Sequence, residues 1–204
     1  MTQPVPPEIL ALINGLSTTS GRRLIAVAGP PASGKSTLAE QLADILPDAA
    51  VVPMDGFHLD NEVLSERGLL GRKGAPQTFD ALGFLDLVKA LRAPVTLSYP
   101  TFDRLRDCVV PDGGEVKADC KTVIVEGNYL LLDSAPWDQL HKLWDASIFL
   151  DVSPDVLRDR LLQRWRDHGY SEAQALTKAE SNDLPNAQVV MQSAVNATYI
   201  VNDA

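Results

Sequence analysis

Residues 24–37 of the chain read LIAVAGPPASGKST. The apolar run Leu24–Ala28 predicts a buried strand, and Ser36–Leu46, with apolar side chains at helical spacing, predicts the helix that follows. Between them, Gly29–Thr37 fits the pattern G-x-x-x-x-G-K-[ST] of a phosphate-binding loop. In a strand, loop and helix of this kind, backbone N–H groups and the positive helix end point at the same anion. The segment therefore predicts a binding site for a nucleoside triphosphate, with an ordinary glycine turn as the alternative.

The loop motif predicts a contact for most of its residues. Lys35 is expected to reach the β and γ phosphates, and the Ser36 hydroxyl is expected to hold Mg²⁺. The residues predicted to contact the nucleotide are Gly29, Ala32, Ser33, Gly34, Lys35, Ser36 and Thr37. The expected cofactors are accordingly ATP and Mg²⁺.

The composition is that of an ordinary globular protein. The 204 residues include 45% hydrophobic and 22% charged ones, and the formal net charge is −9. This acidic balance argues against nucleic acid or an anionic membrane as the main partner, because both need a basic surface. No apolar stretch approaches a membrane span, and the start of the chain lacks a secretory signal pattern. We therefore expect one cytoplasmic domain over residues 1–204, with Cys108 and Cys120 as reduced thiols.

Strand-like and helix-like segments alternate along most of the chain. The predicted strands are Leu24–Ala28, Ala50–Met54, Thr122–Val125, Ser147–Val152 and Tyr199–Val201. The predicted helices are Glu8–Leu16, Ser36–Leu46, Ala81–Leu91, Trp137–Leu143, Pro154–His168, Ser171–Ala179 and one near Asn186–Val195. The strands are apolar at consecutive positions, as expected when both faces of a parallel sheet are covered. The pattern predicts a three-layer α/β/α fold with a central parallel sheet.

The segment Ser98–Lys121 departs from this alternation. Its apolar residues around Val109 and Val116 follow a period of two, and Pro111–Gly114 supplies a turn sequence between them. We predict a β-hairpin insertion that projects from the sheet near the ligand site. A hairpin without any ligand role is the alternative. Cys108 and Cys120 flank the predicted turn, so they could lie near each other across the hairpin.

Two carboxylates follow predicted strands, at the end of the sheet where ligands of parallel sheets bind. Asp55 can there accept the proton of a substrate hydroxyl that attacks the γ-phosphoryl group of ATP. An Asp before Gly56 is also a common turn sequence, which is the alternative. Glu126 follows Thr122–Val125 and fits the position that holds Mg²⁺ in phosphate-loop enzymes.

The predicted helix Pro154–His168 carries the arginines Arg158, Arg160, Arg164 and Arg166. Arg160 and Arg164 are one turn apart and flank the apolar face of the helix. Arginines near a transferring phosphoryl group neutralise its developing charge, whereas pairing with neighbouring aspartates on a solvated face is the alternative. The three histidines of the chain do not have the spacing of zinc ligands.

Five segments together resemble the phosphoribulokinase/uridine kinase family of P-loop kinases, which includes bacterial pantothenate kinases. They are Gly29–Thr37, Met54–His58, Arg72–Pro76, Tyr99–Arg104 and Glu126–Leu130, in the family's order. The resemblance runs from about Leu24 to the C-terminus. Within the family, the chain looks similar to small bacterial proteins described as fructose-transport-system kinases or nucleoside-type kinases. It implies the P-loop NTPase fold and transfer of the ATP γ-phosphoryl group to a small-molecule hydroxyl.

The resemblance also implies roles for individual residues. By motif position, Asp55 matches the catalytic base of the family, and Glu126 matches its Mg²⁺-associated acid. Arg164 and Arg166 resemble the arginines of the family's lid, expected here at about residues 154–185, and Arg160 is a weaker match. The expected catalytic residues are therefore Asp55, Lys35, Arg164 and Arg166, and the expected metal-associated pair is Ser36 and Glu126.

Two motifs depart from the family's patterns at the predicted acceptor side. Uridine kinases usually carry Asp-Ser-Phe-Tyr where this chain has Asp-Gly-Phe-His at residues 55–58. Pantothenate kinases carry a histidine motif after their Tyr-Pro segment, where this chain has Thr-Phe-Asp-Arg at residues 101–104. We expect Phe57, His58 and Arg104 to contact the acceptor. Arg104 and Arg106 could grip an anionic acceptor, although pairing with neighbouring aspartates would explain both arginines as well.

The predicted function is ATP-dependent phosphorylation of an alcohol group on a sugar, nucleoside or pantothenate-like acceptor. Three alternatives stay open at this point: an accessory ATPase of a sugar uptake system, a nucleotide-dependent switch, and a nucleoside monophosphate kinase. The expected partner is the small-molecule acceptor, without nucleic acid or membrane. A homodimer is compatible with the sequence.

Overall fold

The computed structural model describes residues 4–17, 21–192 and 197–202. Its strands are β1 (Arg23–Ala28), β2 (Ala49–Pro53), β3 (Leu97–Asp103), β4 (Cys108–Val116), β5 (Thr122–Gly127), β6 (Ala146–Asp151) and β7 (Tyr199–Asn202). Its α-helices are α1 (Pro7–Gly15), α2 (Lys35–Ile45), α3 (Asn61–Glu66), α4 (Ala81–Leu91), α5 (Pro154–Asp167), α6 (Glu172–Lys178) and α7 (Leu184–Met191). Short 3₁₀ turns cover Met54–Phe57, Leu70–Arg72, Pro76–Thr78 and Trp137–Lys142, and a π-helical turn covers Ala179–Asp183.

A parallel sheet of five strands forms the centre of the described structure, in the order β2-β5-β1-β6-β7. Side chains of β1 alternate between the two faces of this sheet. Ile25 and Val27 pack with the buried residues of α1 and α2, whereas Leu24 and Ala26 pack with those of α4 on the other side. Because both faces are covered, the central strands are apolar at consecutive positions. The predicted three-layer α/β/α fold with a central parallel sheet is confirmed.

The predicted hairpin is present, but its turn is not where the sequence placed it. β3 and β4 pair antiparallel as a separate two-stranded sheet, and the residues between them are Arg104–Asp107. Pro111–Gly114 lies inside β4 instead. A β-carbon on Gly113 would lie 2.1 Å from Thr101 Oγ1, and one on Gly114 would lie 2.4 Å from the Tyr99 ring. These glycines therefore make room for side chains of the partner strand, and they do not form the turn.

The base of the hairpin is held by a buried arginine. Arg22 is 2% exposed and donates hydrogen bonds to the backbone carbonyl groups of Leu91, Ala93, Val95, Lys117 and Cys120. Cys120 is buried at this end of the hairpin, whereas Cys108 is exposed where β4 begins. The two thiols lie at opposite ends of the hairpin, and the length of β3 separates these ends by about 20 Å at the usual rise per strand residue. The expectation that they lie near each other is wrong, and both are free.

Two predicted helices differ from the structure. Residues Trp137–Lys142 form a 3₁₀ turn, where a helix over Trp137–Leu143 was expected. The last helix, α7, runs over Leu184–Met191, so it begins before the expected Asn186, and residues 193–195 lie outside the described residues. Residues 154–185, the expected lid, comprise α5, α6, the π-helical turn and the start of α7. Among the residues described, no helix is long and apolar enough to cross a membrane.

Candidate active site

The phosphate loop connects β1, in the middle of the sheet, to α2. Gly34 caps α2 with a φ of 94°, and Ala32 also has a positive φ of 63°. A β-carbon on Gly29 would lie 2.6 Å from Ser33 Oγ, so only glycine fits there. The Ser33 hydroxyl is buried, and it has no hydrogen-bond partner among the described residues. Together with the unpaired N–H groups in the first turn of α2, this tight loop fits an anion such as a phosphate.

Ser36 and Glu126 meet beside the loop, as predicted for a metal-associated pair. Glu126 lies on β5, the neighbour of β1, and its side chain is buried and hydrogen-bonded to Ser36. Burial raises the pKa of Glu126, and the nearby charge of Lys35 partly opposes this rise. No group of three or more His, Cys, Asp or Glu residues that could hold a metal occurs in the described part of the chain. A hydroxyl and one carboxylate fit Mg²⁺ bound mainly by nucleotide phosphates and water.

Asp55 lies on the 3₁₀ turn that follows β2 and forms an ion pair with Arg104 from the hairpin turn. The distance from Arg104 Nη2 to Asp55 Oδ2 is 2.6 Å. Both residues line a cavity of about 250 Å³. The other residues around this cavity are Ser36, Glu40, Val51, Pro53, Thr101, Phe102 and Glu126. The structure thus brings the predicted metal pair, the predicted base and the predicted acceptor arginine into one cavity.

The hairpin packs directly on the turn that carries Asp55. A β-carbon on Gly56 would lie 1.8 Å from the carbonyl oxygen of Pro100 in β3. Tyr99, next to Pro100, donates a hydrogen bond from its hydroxyl to the Val51 carbonyl oxygen at 2.9 Å. The glycine at position 56, where uridine kinases usually carry serine, therefore allows β3 to approach the sheet closely.

Phe57 and His58 lie behind the wall of the cavity. The Phe57 ring is 9% exposed and packs against Phe84, with ring centroids 5.2 Å apart. The His58 ring stacks on Phe79 at 4.1 Å and contacts Phe102 at 4.7 Å. Burial lowers the pKa of His58 to about 4, so its imidazole is neutral near pH 7. Phe102, for which the sequence predicted no role, lines the cavity where these two residues were expected.

The arginines of α5 are arranged differently from the prediction. Arg164 is half-buried near the Asp55–Arg104 pair, and burial and the charge of Arg104 lower its pKa. Arg160 Nη1 lies 3.4 Å from the carbonyl oxygens of Ala32 and Ser33 in the phosphate loop. Arg166 instead donates two 2.6 Å hydrogen bonds to Glu172 at the exposed surface of the lid. The predicted catalytic role of Arg166 stays a prediction, and in the structure its side chain and that of Arg164 point to different sides of the helix, since the two residues are two apart.

A set of hydrogen bonds connects the lid to the loop after α3. Arg72 donates to the Ser181 carbonyl oxygen at 2.7 Å, and Asn182 donates to the Lys73 carbonyl oxygen at 2.8 Å. On the other side of the π-helical turn, Trp165 Nε1 donates to Asp183 at 2.6 Å. The sequence offered one signal for this connection, the motif Arg72–Pro76, without indicating what the motif contacts.

Comparisons with known proteins extend over nearly the whole chain. A profile of the family described as AAA domain matches residues 25–180. The "putative fructose transport system kinase" of Silicibacter sp. TM1040 superposes with a TM-score of 0.89 at 45% identity, covering 96% of each chain. The uncharacterized protein YggC of Escherichia coli strain K12 is 36% identical over 97% of this chain and 85% of its own. The "putative uridine kinase C227.14" of Schizosaccharomyces pombe is 34% identical over 88% of this chain and 83% of its own.

Proposed function

We propose that this protein transfers the γ-phosphoryl group of ATP to an alcohol group of a small molecule. The chain belongs to the phosphoribulokinase/uridine kinase family of P-loop kinases. The observation that carries this proposal is the shared cavity of Ser36, Asp55, Arg104 and Glu126. In this cavity, a carboxylate that can accept the proton of the acceptor hydroxyl lies beside the end of the phosphate loop. Such a pairing serves transfer to a second substrate better than nucleotide binding alone.

The acceptor oxygen attacks the γ phosphorus of ATP in this scheme. Its proton passes to the carboxylate of Asp55, and one lone pair of the oxygen forms the new O–P bond. The bond between the γ phosphorus and the bridging oxygen breaks, and its electron pair stays on ADP. The products are the phosphorylated acceptor and ADP, and the proton on Asp55 then returns to solvent.

The other residues of the site bind the phosphates of ATP and stabilise their negative charge. Lys35 and the N–H groups of the loop bind the phosphates, and Ser36 and Glu126 would hold Mg²⁺. When bound, the metal would supply positive charge next to the β and γ phosphate oxygens. Arg164 faces the site from the lid and stabilises negative charge on the transferring group, while Arg160 contacts the loop itself. Most of the rate enhancement then comes from positioning and electrostatics.

The sequence relatives narrow the choice of acceptors to test. One relative is named as a uridine kinase and one solved structure as a fructose transport system kinase, so nucleosides and sugars come first. The experiment measures ATP consumption over nucleosides, sugars, pantothenate and their phosphates, with product identified by mass spectrometry. Transfer to at least one alcohol, lost in Asp55→Asn with ATP binding intact, supports the proposal. ATP hydrolysis without transfer to any acceptor would favour an accessory ATPase instead.

A further inference from the structure

The ion pair between Asp55 and Arg104 places a positive group where an acceptor hydroxyl has to approach the proposed base. Arg104 Nη2 lies 2.6 Å from Asp55 Oδ2, and both side chains line the same cavity. The guanidinium occupies one acceptor position of this oxygen and the space beside it, so a hydroxyl that donates to the same oxygen competes with Arg104. Charge-assisted hydrogen bonds of this kind are lost at a cost unless a new partner replaces them.

Among the described residues, Arg104 is held by Asp55 alone. The other two aspartates near the hairpin turn bind other cations: Asp103 pairs with Arg106, and Asp107 pairs with Lys73. In the described part of the chain, Asp55 is therefore the one carboxylate bonded to Arg104. The Arg104 side chain is 56% exposed, so its contact with Asp55 is the kind of pair that water and other anions compete for easily. The planar guanidinium offers several donors in a geometry that matches carboxylate and phosphate groups.

A second arginine increases the positive charge at this point. Arg164 is half-buried in the lid, where burial and then the charge of Arg104 lower its pKa, so the two guanidinium groups lie within electrostatic range of each other. Two guanidinium groups that repel each other are both stabilised by an anion that binds between them. The hairpin turn and the lid therefore present a site for a negative group beside Asp55.

We propose that the acceptor carries an anionic group, a carboxylate or a phosphate, which takes Arg104 away from Asp55 and thereby gives the acceptor hydroxyl access to the base. This inference rests on the proposed kinase function and adds the chemical class of the substrate. The anion and the hydroxyl belong to the same molecule, so the correct acceptor opens the base and supplies the nucleophile in one binding step. A neutral alcohol, or water, leaves Arg104 on Asp55 and reacts slowly.

One test needs no known acceptor, because it follows the hydrolysis of ATP by water. Water then gives its proton to Asp55 and its oxygen to the γ phosphorus, yielding ADP and phosphate. Arg104→Gln is expected to raise this hydrolysis by about fivefold, the effect of removing a half-exposed ion pair. In the wild-type protein, millimolar malonate is expected to raise it similarly, whereas it has no effect on Arg104→Gln. The double variant Arg104→Gln with Asp55→Asn is expected to return to the low rate.

A second test uses acceptors in matched pairs that differ in charge. The carboxylate pairs are D-glycerate with glycerol and pantothenate with pantothenol, and the phosphate pairs are fructose 6-phosphate with fructose and uridine monophosphate with uridine. Phosphoryl transfer is expected only to the charged member of a pair. Whether that pair is a carboxylate pair or a phosphate pair shows which anionic group the acceptor carries. Arg104→Gln is expected to raise the KM for that acceptor by about tenfold or more, with the Kd for ATP unchanged. Arg106→Gln, two residues away but outside the cavity, serves as the matched control.

Three results would overturn the inference. They are equal turnover of the neutral and charged members of a pair, unchanged hydrolysis in Arg104→Gln, and a loss of ATP affinity in Arg104→Gln. The last would place Arg104 on the nucleotide phosphates. Failure of the kinase proposal itself looks different, because then no acceptor is phosphorylated by any variant and adding Asp55→Asn to Arg104→Gln leaves its rate of ATP hydrolysis unchanged.

Discussion

Gly56 packs so closely against Pro100 that a β-carbon at position 56 would lie 1.8 Å from the Pro100 carbonyl oxygen. Gly56→Ala is therefore expected to push β3 away from the turn that carries Asp55. Overpacking of this kind costs about 2 kcal/mol of the free energy of unfolding, measurable by urea titration. We also expect acceptor phosphorylation to fall while ATP affinity is retained, since the phosphate loop is a separate element.

Gly71→Ala is the matched control for this substitution, because a β-carbon there meets nothing within 4 Å. Its stability and turnover should stay close to those of the wild-type protein. A fully active and stable Gly56→Ala protein would show that the hairpin can shift without loss, and that its close contact with the sheet is not needed for the site.

For the arginines of α5, the contacts in the structure and the sequence motif predict different effects of mutation. Arg164→Gln is expected to lower kcat by about a hundredfold, since Arg164 lies within electrostatic range of Arg104 and Asp55. Arg166→Gln is expected to change kcat by about twofold or less, because Arg166 bonds to Glu172 at the surface. Arg160→Gln should weaken ATP binding through its contact with the phosphate loop. Steady-state kinetics with ATP titration distinguish these cases, and a large defect in Arg166→Gln would contradict the observed arrangement.

His58 predicts a dependence of stability on pH. Burial lowers its pKa from 6.5 to about 4, so the unfolded chain binds this proton at higher pH than the folded one. Neutral His58 therefore makes its full contribution to the free energy of unfolding above pH 6.5, the pKa of this histidine in the unfolded chain. This contribution is lost as the pH falls from 6.5 towards 4. Between about pH 7 and about pH 4.5, we expect a loss of about 2 kcal/mol from this residue.

His58→Phe tests this expectation, since a phenyl ring can keep the stacking on Phe79 and Phe102 without titrating. Urea unfolding at both pH values should show a smaller loss for His58→Phe than for the wild-type protein. His168→Phe changes an exposed histidine and should keep the wild-type dependence. Equal pH dependence of all three proteins would mean that another group is responsible.

The fold was predictable because its signals are local. An apolar run, a glycine loop and a helix start within residues 24–37 already define the unit β1, loop and α2. The same holds for Asp55 and Glu126, since a carboxylate directly after a strand must lie at the edge of the sheet where the loop also ends. Their position at one edge of the sheet follows from the parallel topology, whereas the cavity between them is completed by Thr101, Phe102 and Arg104 of the hairpin.

The hairpin and the lid were less predictable because their details depend on partners far away in the sequence. A pair of glycines serves a turn or a close packing contact equally well. Only the tertiary structure shows that Gly114 pairs with Tyr99, and that a β-carbon on Gly113 would meet the Thr101 hydroxyl. Likewise, helical spacing separates the directions of Arg164 and Arg166, but the packing of the lid decides which direction leads to the site.

The hydrogen bonds of Arg72 predict that the loop after α3 positions the lid. Arg72 donates to the Ser181 carbonyl oxygen in the π-helical turn, whose Asp183 accepts from Trp165, the neighbour of Arg164. Arg72→Met removes the first of these contacts. Amide exchange over residues 179–186 should then become about tenfold faster, because a local opening loses one of its stabilising hydrogen bonds. We expect kcat to fall as Arg164 becomes less well placed, with the Kd for ATP nearly unchanged.

Arg67→Met provides the control for Arg72→Met, since Arg67 is exposed at the end of α3. It should alter neither amide exchange in the lid nor turnover. If Arg72→Met lowers kcat without faster exchange over residues 179–186, Arg72 acts on the substrate directly, and its role in holding the lid is wrong. If exchange becomes faster with kcat unchanged, the lid is held by Arg72 but its position does not limit phosphoryl transfer, because opening and reclosing are then faster than the chemical step.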